Sequence, residues 1–160
     1  MRPVVERLDI ENAIDIGAGA GYFTIELARL GVHTIAIEPD PPNHRTTLLA
    51  VRRSGLRNIG VPALELRPDN MRMLTPADCT LFLSLWHHLV RNYGFEASTG
   101  MFREIWARTG TLLAFDTGER EMSPEFRLPP MEPDPASGSS VTCEIPAMDR
   151  QSSTSAPTRP

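Results

Sequence analysis

Apolar positions in the first 116 residues fall into short continuous runs, separated by segments with helical spacing. NAIDIG (12–17) is an apolar run ending in glycine and predicts a buried strand. GYFTIELARLG (21–31) follows, with Phe23, Leu27 and Leu30 at helical spacing and a glycine stop. HTIAIE (33–38) predicts a second strand and NHRTTLLAVRRSG (43–55) a helix, again closed by glycine. NIGVPALEL (58–66) is a weaker third strand, interrupted by Pro62. CTLFLSLW (79–86) is the most apolar strand of the chain. ASTGMFREIWARTG (97–110) predicts a helix carrying Met101, Ile105 and Trp106, and TLLAFD (111–116) a fifth strand. Ahead of all this, MRPVVERLDI offers about two helical turns.

Strands alternating with helices imply right-handed crossovers and a mostly parallel sheet with both faces covered. The expected fold is α/β: a Rossmann-like, doubly wound sheet of about five strands, ordered 3-2-1-4-5. Its ligand crevice lies where the strand order reverses, at the carboxyl ends of strands 1 and 4. The pattern stops after Phe115, and residues 121–160 hold eight of the fifteen prolines with many serines and threonines. Such a segment buries too little apolar surface to offset its ordering entropy. The expected organisation is therefore a ligand-binding domain over 1–120 and a Pro/Ser-rich, largely disordered tail over 121–160.

Composition narrows the function. A formal net charge of −4 argues against a general nucleic-acid binder, and Arg52, Arg53 and Arg57 fall at a helix C-terminus, where cations suit the helix dipole. No apolar run approaches the roughly 20 residues that span a membrane, and no signal peptide opens the chain. Two cysteines, Cys79 and Cys143, form neither a disulfide framework nor a metal cluster. The expectation is a soluble cytoplasmic protein without a metal.

The chemistry concentrates in AIDIGAGAGYFT (13–24). Gly17, Gly19 and Gly21 alternate as G-x-G-x-G, whereas a dinucleotide loop needs G-x-G-x-x-G. The position that would complete the dinucleotide pattern is Tyr22, too large for close helix–strand packing. No Gly-Lys-Ser/Thr phosphate loop is present either. A carboxylate beside the loop, Asp15, would repel a pyrophosphate and attract a cationic ligand. S-adenosylmethionine, with a sulfonium, an ammonium and no phosphate, has that chemistry, and the glycines let backbone approach it closely. Glu38 ends the second strand, 17 residues after Gly21, where an acid can accept both hydroxyls of a ribose.

In these features the chain resembles the class I S-adenosylmethionine-dependent methyltransferases over residues 12 to about 116. DIGAGAGYFT looks like their first motif and IAIEPD like their second, and GYFTIELARLG…IAIEPDPPN is similar to the FkbM-type members, which often act on oxygen. The resemblance implies that Asp15, Gly17, Gly19 and Gly21 line the methionine part of the cofactor and that Glu38 holds the ribose. It also implies an acid after strand 3 for the adenine amino group, for which Asp69, beside Asn70, is the best match. Residues at the end of strand 4, here SLWHHLV (84–90), would face the methyl group and a small-molecule acceptor. Imidazole titrates near neutral pH, so His87 or His88 is a candidate to remove a proton from an acceptor hydroxyl. Strand alternation would let only one of the two face the ligand. Asp116 and Glu119 read as loop acids.

The family usually continues past strand 5 into a helix and an antiparallel strand pair, which the last 44 residues do not resemble. Strand 5 would then be an apolar edge prone to self-association. Two alternatives stay open: a shortened, non-catalytic remnant of such an enzyme, and an NAD-dependent oxidoreductase.

Overall fold

The computed structural model describes residues 1–117. The tail expected over 121–160 lies outside the described residues, as does Glu119. Five parallel strands, β1 (Asn12–Ile16), β2 (His33–Ile37), β3 (Ile59–Gly60), β4 (Ala77–Leu83) and β5 (Thr109–Asp116), form one sheet ordered β3-β2-β1-β4-β5. This is the expected order, with the reversal between β1 and β4. Helices α1 (Arg2–Leu8), α2 (Tyr22–Arg29), α3 (Pro41–Ser54), α4 (Trp86–Tyr93) and α5 (Phe95–Arg108) connect or flank the strands.

Strand alternation divides the core in two. Ile14, Ile16, Ile37 and Phe82 pack with Met101 and Ile105 of α5 and Leu89 of α4. Ala13, Cys79 and Leu81 point the other way, against Val5 and Leu27 of α1 and α2. At the amino ends of the strands, Asn12 and Asp78 lock β1 to β4. Asp78 Oδ2 accepts from the backbone N–H groups of Glu11 and Asn12, and Asn12 Oδ1 accepts from Asp78 N–H.

Helix α3 starts cleanly: the Asp40 carboxylate accepts from Asn43 N–H, and Pro41 and Pro42 occupy the first turn, where no donor is missed. Among its fourteen residues only Thr47 is buried.

The structure departs from the sequence reading around strands 3 and 4. Pro62 cannot donate to a ladder, and β3 is reduced to two residues. The apolar strand expected over 79–86 ends at Leu83, and α4, which that expectation missed, begins at Trp86. Trp86, Leu89 and Tyr93 reach the α5-side core at helical spacing. The break between strand and helix is Ser84, held at φ +53. Its N–H donates to Asp116 O (2.9 Å) and its hydroxyl to Asp116 Oδ2 (3.1 Å). No helix among the described residues is long and apolar enough to cross a membrane.

Candidate functional site

A cavity of about 510 Å³ opens at the carboxyl ends of β1, β2 and β4, at the reversal of strand order. Gly17, Gly19 and Glu38 line it, together with Glu65 from the segment after β3 and Ser84, Leu85 and His88 beyond β4. Its apolar wall is the part of the α5-side core that includes Ile16, Phe82 and Met101. The lining includes the carboxylates of Glu38, Asp40 and Glu65 and no lysine or arginine.

The glycine loop turns tightly because Gly17, Gly19 and Gly21 all have positive φ (78°, 55° and 79°). They are not equivalent. A Cβ on Gly17 would lie 3.2 Å from Leu85 Cδ2, and one on Gly21 3.0 Å from Thr47 Cγ2, while one on Gly19 would meet nothing within 4 Å. Gly17 and Gly21 are therefore small for packing, and Gly19 is small beside open cavity.

Glu38 is 6% exposed yet lines the cavity. Its Oε2 accepts from Gly19 N–H at 2.7 Å and its Oε1 from Asp40 N–H at 2.9 Å. A carboxylate has about four acceptor sites, so these backbone bonds orient the group and leave capacity for two further donors.

Asp15 sits elsewhere. Alternation along β1 puts it on the opposite face from Ile14 and Ile16, beneath the first turn of α2, and it does not line the cavity. Its Oδ2 accepts from the Thr24 hydroxyl at 2.6 Å, and Thr24 N–H also bonds the carboxylate. Burial raises the Asp15 pKa, against the Thr24 bonds, which lower it; the Glu38 charge adds a smaller upward push. Asp15 thus acts as a side-chain partner for the start of α2, a helix whose N-cap, Gly21, has no side chain.

Asp69 lies on the exposed side of the turn over 65–70, outside the cavity lining. Asn70 clips that turn, accepting from Arg67 N–H at 2.7 Å and donating to Glu65 O at 2.8 Å. The acid that reaches the cavity from this segment is Glu65, whose Oε1 accepts from Tyr93 OH at 3.4 Å and whose Oε2 accepts from Arg67. Glu65, Ser84 and Tyr93 are lining residues the sequence reading did not single out. Glu65 had a readable signal, an acid closing the weak third strand.

The histidine pair lies on α4, not on a strand. The rings are 4.0 Å apart. His88 lines the cavity and His87 is buried behind it. His87 Nδ1 donates to Thr117 O at 2.9 Å, because a carbonyl only accepts, and its Nε2 keeps a lone pair when the ring is neutral. His88 Nδ1 accepts from Arg91 Nη2 at 2.8 Å, because a guanidinium only donates, and its Nε2 carries the proton. Desolvation lowers the His88 pKa, helped by His87 and Arg91, so the ring favours the neutral form. Cys79, buried on the α2 side, has its thiol pushed up to about 11 by burial and is not a nucleophile.

No protein-family model matches this sequence, and neither does any protein of curated function. Solved structures do match. The bifunctional kinase-methyltransferase WbdD aligns at 18% identity with a TM-score of 0.61, over 69% of this chain and 25% of that one. Coclaurine N-methyltransferase, solved with N-methylheliamine and SAH, aligns at 21% identity with a TM-score of 0.54, over 69% of this chain and 32% of that one. Precorrin 8w decarboxylase from Methanobacterium thermoautotrophicum aligns at 22% identity with a TM-score of 0.52, over 70% and 60%. The chain has the Rossmann-like methyltransferase fold. At these identities the likeness is one of fold, and the chain spans about a quarter of the length of WbdD.

Proposed function

We propose that this chain is a cytoplasmic S-adenosylmethionine-dependent methyltransferase domain acting on a small-molecule acceptor, an oxygen of the kind FkbM-type enzymes use. The observation that carries this reading is the corner where Gly19 meets Glu38, a backbone without a side chain beside an oriented carboxylate with two acceptor sites to spare. The charge of the cavity supports it, since three carboxylates and no lysine or arginine suit a sulfonium and an ammonium better than a pyrophosphate. The cationic preference expected of Asp15 thus falls to Glu38, Asp40 and Glu65. The fold neighbour coclaurine N-methyltransferase holding SAH supports the same cofactor.

When bound, S-adenosylmethionine supplies an activated methyl group, and the protein supplies position. In this reading Glu38 holds the ribose hydroxyls, Gly19 lets the backbone lie against the cofactor, and Gly17 makes room for Leu85 on the cavity wall. Glu65, which lines the cavity beside Tyr93 where Asp69 does not, is the acid we assign to the adenine end. Leu85, Leu89 and Met101 exclude water from the apolar side. His88, neutral and protonated on Nε2, donates to the acceptor oxygen and orients it, and the proton that the acceptor hydroxyl loses on methylation passes to solvent at the cavity mouth. His87 retains the basic nitrogen but is buried behind, so of the pair His88 is assigned to the acceptor. We also propose that β5, open along its outer edge among the described residues, pairs with a second copy.

Backbone amide spectra test the cofactor assignment. SAH is expected to shift Gly17, Gly19 and Glu38, and NAD to leave them in place. Shifts with NAD alone, or with neither, would overturn it.

A further inference from the structure

We infer that Thr47 is a positioning residue of the cofactor loop, holding the Gly19 carbonyl while Glu38 holds the Gly19 N–H. The inference rests on the cofactor reading for its binding readout alone; the clamp itself is structural.

Thr47 is the only buried residue of α3, at 0% exposure, and is not itself one of the residues that line the cavity. Its hydroxyl lies 2.5 Å from Gly19 O and 3.0 Å from Asn43 O. A helical threonine ordinarily returns its hydroxyl to the carbonyl four residues back, here Asn43. With one proton to donate, the Thr47 hydroxyl favours the nearer partner, the loop carbonyl. Its methyl packs where a side chain on Gly21 would be, 3.0 Å from that position. One β-branched side chain thus touches two of the three glycines, and its stiff χ1 holds both contacts at once.

Gly19 is therefore held through both of its flanking peptides, the Ala18–Gly19 peptide by its N–H and the Gly19–Ala20 peptide by its C=O. Its N–H goes to Glu38 Oε2 and its C=O to Thr47. The two anchors are themselves joined, because Glu38 Oε1 accepts from Asp40 N–H at the N-cap of the helix that carries Thr47. Releasing the carbonyl frees the Gly19–Ala20 peptide to rotate and loosens the residue whose N–H, across the Cα, orients Glu38 toward the cavity. Thr47 would then govern affinity without touching ligand.

Thr47→Val keeps the shape and the methyl but removes the hydroxyl, while Thr47→Ser keeps the hydroxyl. In the full chain, two quantities are read for each: the hydrogen-exchange rate of the Gly19 amide and the Kd for SAH. The valine form is expected to speed Gly19 exchange, to melt lower because the Gly19 carbonyl loses its donor, and, at a temperature where it stays folded, to bind SAH roughly tenfold more weakly. The serine form is expected to restore both to within about twofold of wild type. A valine form equal to wild type on both readouts overturns the inference, as does a serine form as impaired as valine. Should the valine form not fold, a wild-type Gly19 amide that exchanges as fast as an unstructured peptide overturns it, and a protected one supports it. A protein that binds no SAH in any form, yet shows the exchange pattern, refutes the cofactor reading and leaves the clamp standing.

Discussion

A methyl group added at Gly19 would meet open space, and one added at Gly21 would meet Thr47. The two alanine variants should therefore separate binding from folding. Gly21→Ala combines a positive-φ penalty with a close contact and should lose about 2 kcal/mol of stability by urea denaturation. Gly19→Ala carries the φ penalty only, about 1 kcal/mol, but should weaken SAH binding at least tenfold by filling the face the ligand needs. Equal losses of stability with equal affinities would contradict the division. Asp15 makes a second prediction. Its folded pKa is raised above 3.8, so the folded state holds the proton more tightly than the unfolded chain. Its stabilising contribution is then greatest below that ordinary value and is lost as pH rises through the raised one. The stability of Asp15→Asn relative to wild type should accordingly increase with pH, read by denaturation from acid to neutral conditions. A relative stability that falls with pH would contradict the burial argument. That Asp15 and the glycines gather at the turn between β1 and α2 was legible in the sequence, because an acid inside an apolar run followed by alternating glycines is an unusual pattern. The face on which Asp15 points depends on strand phase, which places it with Ala13 under α2, and that settles its partner as Thr24.

The elements built from continuous apolar runs or clear caps, β1, α2, β2, α3, α5 and β5, were legible within a few residues. Helix α4 was not, because its Trp86 and Leu89 directly extend the apolar run of β4 and no proline or glycine marks the join. The turn is made instead by Ser84 in the left-handed region, a conformation that serine does not advertise. The same blindness misplaced the argument about His87 and His88: on a helix they are separated by about 100°, and burial, not strand alternation, divides their roles. Glu65 was overlooked because the segment read as strand is irregular after Gly60. Helix α1 offers a test at this scale. It ends at Asp9, with φ +51 and an acid at the negative end of the helix dipole. Asp9→Gly should raise stability by about 1 kcal/mol through relief of both, read by urea denaturation. A loss would show that the Asp9 side chain has a role beyond the cap.

At the scale of the molecule, the candidate cofactor corner is set in a sheet whose long edge strand, β5, has no outer neighbour among the described residues. The outer edge of β5 carries no lysine, arginine or proline to discourage pairing. Within β5, Phe115 is 43% exposed and forms one aromatic cluster with Phe102 of α5 and Trp86 of α4. Light scattering of the 160-residue chain should show association that grows with concentration, and Thr111→Lys, at an exposed β5 position, should reduce it severalfold. A monomer at all concentrations would contradict pairing through this edge. The cofactor corner itself is tested most directly by calorimetric titration of SAH into the wild-type chain and its Glu38→Ala form. The structure predicts saturable binding to the wild type, weakened in the variant by about 2 kcal/mol, roughly thirtyfold, since the lost bonds are to a charged group. Equal affinity in the two proteins, or no heat with the wild type, would contradict the account.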